Sequence, residues 1–181
     1  MTRSSSITNL LHFVTQDMKI DIPLFQNNPK KSIELNLDDM DLVTATAEAK
    51  KVLQYVLSTD SFWVCEYGTD NGDTFIANNF FACEPSVEIL EYHSKWIDRD
   101  WFEYEKDAIA CVHTSLPSFS LDAYIHYALR MEYLSNTIFL INPNKGYAVW
   151  IYDRRGMDIA SKDASLLFDL NKEFGHLVNQ V

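Results

Sequence analysis

The sequence predicts an α+β fold: a mostly antiparallel sheet with helices packed against it, in a single domain spanning residues 1–181. Three observations carry this. Short β-rich runs are joined by tight turn clusters, which favour antiparallel neighbours. Longer stretches repeat apolar residues at helical spacing. Hydrophobic residues make up 47% of the chain and aromatics 13%, enough to fill one substantial core in a length that suits one domain.

Taken in order, residues 1–6 are polar and read as a frayed end. From Ile7 to Asp17, Ile7, Leu10, Leu11 and Val14 recur at helical spacing behind Ser6, a residue type suited to an N-cap. Pro23-Leu24-Phe25 leads into the turn residues Asn27-Asn28-Pro29, and Ser32 to Leu37 alternates Ile33, Leu35 and Leu37 with polar partners, as a strand does. A helix follows from Asp39 to Leu57, opening on carboxylates that suit a helix N-terminus and lined by Leu42, Thr46, Ala49, Leu53 and Val56. Phe62 to Tyr67 reads as a strand, Gly68 to Gly72 as its turn and Thr74 to Phe81 as its partner.

Between 84 and 107, Leu90, Ile97, Trp101 and Tyr104 favour helix with a break near Asp98. Ala108 to His113 reads as a strand stopped by Pro117, and Leu121 to Leu134 as a helix. Thr137–Ile141 and Tyr147–Tyr152 flank Asn142-Pro143-Asn144-Lys145-Gly146, the clearest hairpin of the chain. After the turn Asp153-Arg154-Arg155-Gly156, Met157 to Ala160 extends the sheet. A last helix from Asp163 to Val178 turns Leu166, Leu167, Leu170, Phe174 and Leu177 inward.

Charge narrows the function classes. Acidic residues number 26 against 15 basic, a formal net charge of −11. That excess repels a phosphate backbone, so nucleic acid is an unfavoured partner, whereas a basic protein surface would be attracted and its encounter sped up. Solubility alone is the plainer reading of the same balance. Cys65, Cys83 and Cys111 lie among apolar neighbours and none shares a metal-ligand or CxxC spacing with another; buried free thiols in a reducing compartment are expected. No apolar run approaches the ~18 residues of a membrane span, and no signal peptide is legible, which points to the cytoplasm and away from the membrane.

Catalytic chemistry finds little support. His12, His93, His113, His126 and His176 are scattered, and no GxSxG elbow surrounds a serine. His93 with Asp98 and Asp100 is the best local metal cluster, yet it lacks ligand spacing, and a solvated acidic helix explains it. No glycine-rich phosphate loop occurs. No catalytic residue, metal or cofactor is therefore assigned. The string Asp153-Arg154-Arg155-Gly156-Met157-Asp158 could hold an anion or a partner. Its simpler reading is a strand-ending turn, with Gly156 at positive φ and the arginines paired with Asp153 or Asp158.

Val149 to Ala160, with its Tyr152-Asp153-Arg154-Arg155-Gly156 turn and the helix after it, resembles the end of a small uncharacterised bacterial domain family. Members carry a strand, a Tyr-Asp-Asp-Arg-Gly turn, a hydrophobic strand and a closing helix, and Pro23-Leu24-Phe25 before the Ser32–Leu37 strand is similar to the family's opening. Here Arg154 stands where the second Asp is usual, which weakens the case for a paired-carboxylate site at this turn. Small acidic domains of this kind resemble immunity proteins of polymorphic-toxin systems, which neutralise a toxin by binding it.

The resulting expectation is an immunity-type inhibitor, not an enzyme, that occludes a basic toxin domain. The expected contact residues are Glu88, Glu91, Trp96, Asp98, Asp100, Trp101, Glu103 and Glu105, where carboxylates and tryptophans interleave. Two alternatives stand beside it: a small enzyme with a His–carboxylate pocket near His93, His113 or His126, and an adaptor or oligomeric interaction protein marked by an apolar patch.

Overall fold

The structure is a computed structural model that describes residues 9–10, 12–13, 31–58, 60–67, 76, 79–91, 108–131 and 137–178. Expectations for residues 1–6, the 23–29 lead-in, the 68–72 turn and residues 92–107 fall outside them. The described elements run β1 (Ser32–Asn36), α1 (Leu42–Leu57), β2 (Ser61–Tyr67), β3 (Glu88–Glu91), β4 (Ala108–Ser115), α2 (Leu121–Ala128), β5 (Ile138–Asn142), β6 (Tyr147–Asp153), β7 (Gly156–Ser161) and α3 (Ala164–Glu173). All seven strands join one sheet in the order β1-β7-β6-β5-β2-β4-β3. Every pairing is antiparallel. The fold is therefore α+β, as the turn chemistry implied.

Side-chain caps fix the helix starts. Asp41 accepts hydrogen bonds from the amides of Val43 (2.9 Å) and Thr44 (3.1 Å) and from the Thr44 hydroxyl (2.7 Å), so α1 begins at Leu42 and not at Asp39. That start rotates the expected face. Leu42 is exposed, and Ala45, Ala49, Val52, Leu53, Val56 and Leu57 point inward. Asp163 likewise accepts from the Ser165 amide and hydroxyl at 2.9 and 2.7 Å.

Three expected elements change. The described residues of Thr74–Phe81 do not pair with β2: Ile76 and Asn79 are helical, and Phe81 makes an isolated bridge to Phe119. The reason is topological, since both edges of β2 are taken by β4 and β5. Glu88–Glu91 is a strand on β4, not part of a helix. The last helix stops at Glu173; the Asn36 amide donates to the Leu177 carbonyl at 2.7 Å and Val178 bridges Leu35, so the tail turns back along β1. Phe174 and Leu177 stay buried as expected. The helix expected over 121–134 ends at Ala128 and closes in tight turns up to Met131.

The hairpin between β5 and β6 is built by Asn142. Its Oδ1 accepts from the amides of Asn144 (3.1 Å) and Lys145 (3.0 Å), its Nδ2 donates to the Ser61 carbonyl at 2.9 Å, and Gly146 takes the positive φ of 73° that closes the turn.

Strand alternation splits the sheet into two faces. One face bears Ile33, Leu35, Phe62, Val64, Val112, Leu140, Val149, Ile151 and Ile159 and packs on the inward residues of α1, α2 and α3. The other bears Trp63, Cys65, Ile109, Cys111, Phe139, Ile141, Trp150 and Tyr152 and packs with Leu10 and Phe13. Residues 9, 10, 12 and 13 are helical, in keeping with the expected N-terminal helix. Among the described residues, no helix is long and apolar enough to cross a membrane.

Candidate functional site: a groove at the β3–β4 edge

Aromatic packing places one wall of the groove. The Phe119 ring meets Phe62 and Phe81 at centroid distances of 5.6 Å and Phe80 at 6.1 Å, while Phe80 meets Tyr124 and Tyr127 at 5.8 and 5.6 Å. The Ser120 amide donates to the Phe80 carbonyl at 2.7 Å, which pins the chain beside α2. From this anchor Ala82 to Val87 runs out to β3.

The floor comes from β2 and β4. Their register sets Trp63 opposite His113, with the rings 4.9 Å apart and inclined by 48°. Trp63 is almost wholly buried, whereas His113 reaches solvent. Pro117 and Ser118, in the short 3-10 turn after β4, close the far side. The half-open groove has a volume of about 710 Å³ and is lined by Trp63, Phe81, Cys83, Glu84, Glu88 and His113, among others. Among the described residues its lining holds two carboxylates and neither Lys nor Arg. The lining thus brings His113, Phe81 and two carboxylates around one opening, over a Trp63 ring that is itself almost wholly buried.

Of the two expected contact residues that lie among the described residues, Glu88 lines this groove. Glu91 ends β3 opposite Ala108. Trp96, Asp98, Asp100, Trp101, Glu103 and Glu105 lie outside the described residues. Cys83 is exposed on the groove wall, which corrects the expectation that all three thiols are buried; Cys65 and Cys111 are buried. His126 is exposed on α2, and His176 pairs with Glu48 at 3.3 Å. Among the described residues, no group of three or more His, Cys, Asp or Glu could hold a metal ion.

The Asp153–Gly156 turn is scaffold. Asp153 is buried and accepts from the Arg155 amide (2.8 Å), Nε (3.0 and 3.1 Å) and Nη2 (2.6 Å), the pairing expected from sequence. That carboxylate pushes the Arg155 guanidinium up from its ordinary value. The Tyr152 hydroxyl donates to Glu34 Oε1 at 3.2 Å; burial first, and then the Glu34 and Asp158 charges, push the phenol well up. Gly156 does not take a positive φ. Glycine is required there because a Cβ would fall on the Leu35 carbonyl oxygen and lie 2.5 Å from the Tyr152 hydroxyl.

Sequence alone pointed to the acidic stretch but not to the Trp63–His113 floor. The two residues stand on different strands, and only the β2–β4 register joins them.

The fold is an α+β domain: one antiparallel sheet, α1, α2 and α3 on one face, and a groove at the β3–β4 edge lined by two carboxylates. The chain matches over residues 7–180 the family described as "Domain of unknown function (DUF3885)", and it belongs to that family. No curated protein and no solved structure matches it.

Proposed function

We propose that this chain is a binding protein that occludes a basic partner domain, in the manner of an immunity-type inhibitor, with the β3–β4 groove as part of its contact surface. The observation that carries this reading is the groove itself, which combines the Trp63–His113 floor with Glu84 and Glu88 on the rim. The net charge of −11 supports it, because a field of that sign speeds encounter with a cationic surface. Binding then precedes any anchoring, and the ionic rim governs the association rate more than the lifetime of the complex.

The test is co-expression with the product of the neighbouring gene, followed by stopped-flow binding. Growth rescue, and an association rate that falls with added salt and drops about tenfold in Glu84→Lys/Glu88→Lys, are expected. A non-toxic neighbour, no complex, or a rate indifferent to the double charge reversal overturns the proposal.

A further inference from the structure

The groove leaves unused a pair of thiols that no local spacing connects. Cys65 on β2 and Cys111 on β4 are direct cross-strand partners, and their register sets them side by side. Both are wholly buried, and the Cys111 thiol donates to Cys65 Sγ at 3.2 Å. A disulfide places its sulfurs ~2.05 Å apart, so only about 1 Å of approach remains between two side chains already on one face of an antiparallel ladder.

We propose that Cys65 and Cys111 form an oxidisable dithiol, which a hydroperoxide converts into a disulfide joining β2 to β4. The thiolate of one cysteine attacks the peroxide O–O bond and becomes a sulfenic acid, and the departing oxygen takes up a proton and leaves as water from hydrogen peroxide or as the alcohol from an organic hydroperoxide. The second thiol then attacks the sulfenic sulfur, forms the S–S bond and releases a water. Each sulfur gives up one electron, and the peroxide takes both. A thiol reductant reverses the step.

Burial sets the kinetics. Removal from water pushes the Cys65 thiol well up, and the neighbouring Cys111 adds to this, so the reactive thiolate is scarce in the closed fold. Leu10 and Phe13 belong to the same packed layer as the two sulfurs. Oxidation therefore waits on local opening and runs slower than that of exposed Cys83. The inference is independent of the binding role: it concerns the strands that carry Trp63 and His113, whatever the groove holds.

The experiment treats the reduced, folded full chain with hydrogen peroxide, quenches with acid, denatures, alkylates and measures intact and peptide masses. The expected product carries a Cys65–Cys111 cross-link that dithiothreitol removes, and Cys83→Ser gives the same cross-link. Cys111→Ser is expected to lose it. The proposal is overturned if Cys65 and Cys111 are both fully alkylated after Cys83 has been consumed. It is equally overturned if the main disulfide involves Cys83.

Discussion

The two faces of the sheet are made of different chemistry. The helix-covered face is mainly aliphatic, with Leu35, Val64, Leu140, Val149, Ile151 and Ile159 meeting α1, α2 and α3. The opposite face is aromatic and sulfur-bearing: Phe139 stacks on Trp150 at 5.3 Å, Trp150 meets Tyr152 at 5.4 Å, and Cys65 touches Cys111. Each end of that second face turns polar, at Trp63–His113 and at Tyr152–Glu34. The contrast separates two jobs. Aliphatic packing against helices holds the sheet, while the chemically versatile groups collect on the other side and along its edge.

Adjacent residues of β5 test that division. Leu140 and Ile141 are both fully buried but belong to opposite faces. Leu140→Ala is expected to cost about 4 kcal/mol and Ile141→Ala about 2 kcal/mol, because a residue wedged between sheet and helices leaves the cavity that collapses least. Urea denaturation at matched slope measures both, and equal costs would erase the distinction.

Next in size is Gly156→Ala, at about 2 kcal/mol from overpacking against the Leu35 carbonyl and the Tyr152 hydroxyl. It sharpens the comparison because the crowding lies at the polar end of the second face. A lowered thermal midpoint checks it, and an unchanged one would show that β1 and β7 separate at little cost.

The smallest effect concerns acid. Thr44 bonds hold the Asp41 carboxyl below its ordinary 3.8, and Ser165 bonds do the same for Asp163. Both pKa values are lower folded than unfolded, so these caps contribute fully above the ordinary value, and the contribution drains away as pH falls through the folded one. A shallow loss of stability below about pH 4 is expected, and Asp41→Asn should flatten it in an acid titration followed by circular dichroism.

What the sequence disclosed follows the range of the interactions. Asn142 and Asp163 accept from amides within a few residues of themselves and Gly146 closes its turn at positive φ, so the hairpin and the last helix start were legible from local chemistry. Thr74–Phe81 misled because its β-rich composition says nothing about whether β2 has an edge left to offer. Glu88–Glu91 misled for the converse reason: β4 supplies a ladder that outweighs a helical spacing of apolar residues. Of the groove's lining the expected contact residues included Glu88, while Trp63, Cys83 and His113 come from separate segments that meet only once register is set.

The outermost strand on one side has a consequence for how the chain is made. Ser32–Asn36 is among the first described segments to leave the ribosome, yet its ladder partner is Gly156–Ser161. During synthesis β1 lacks its ladder partner until residues 156–161 have emerged, so this seam of the sheet is a pairing of high sequence separation. A ribosome stalled before residue 156 would hold a nascent chain whose first strand stays open to capture by a chaperone.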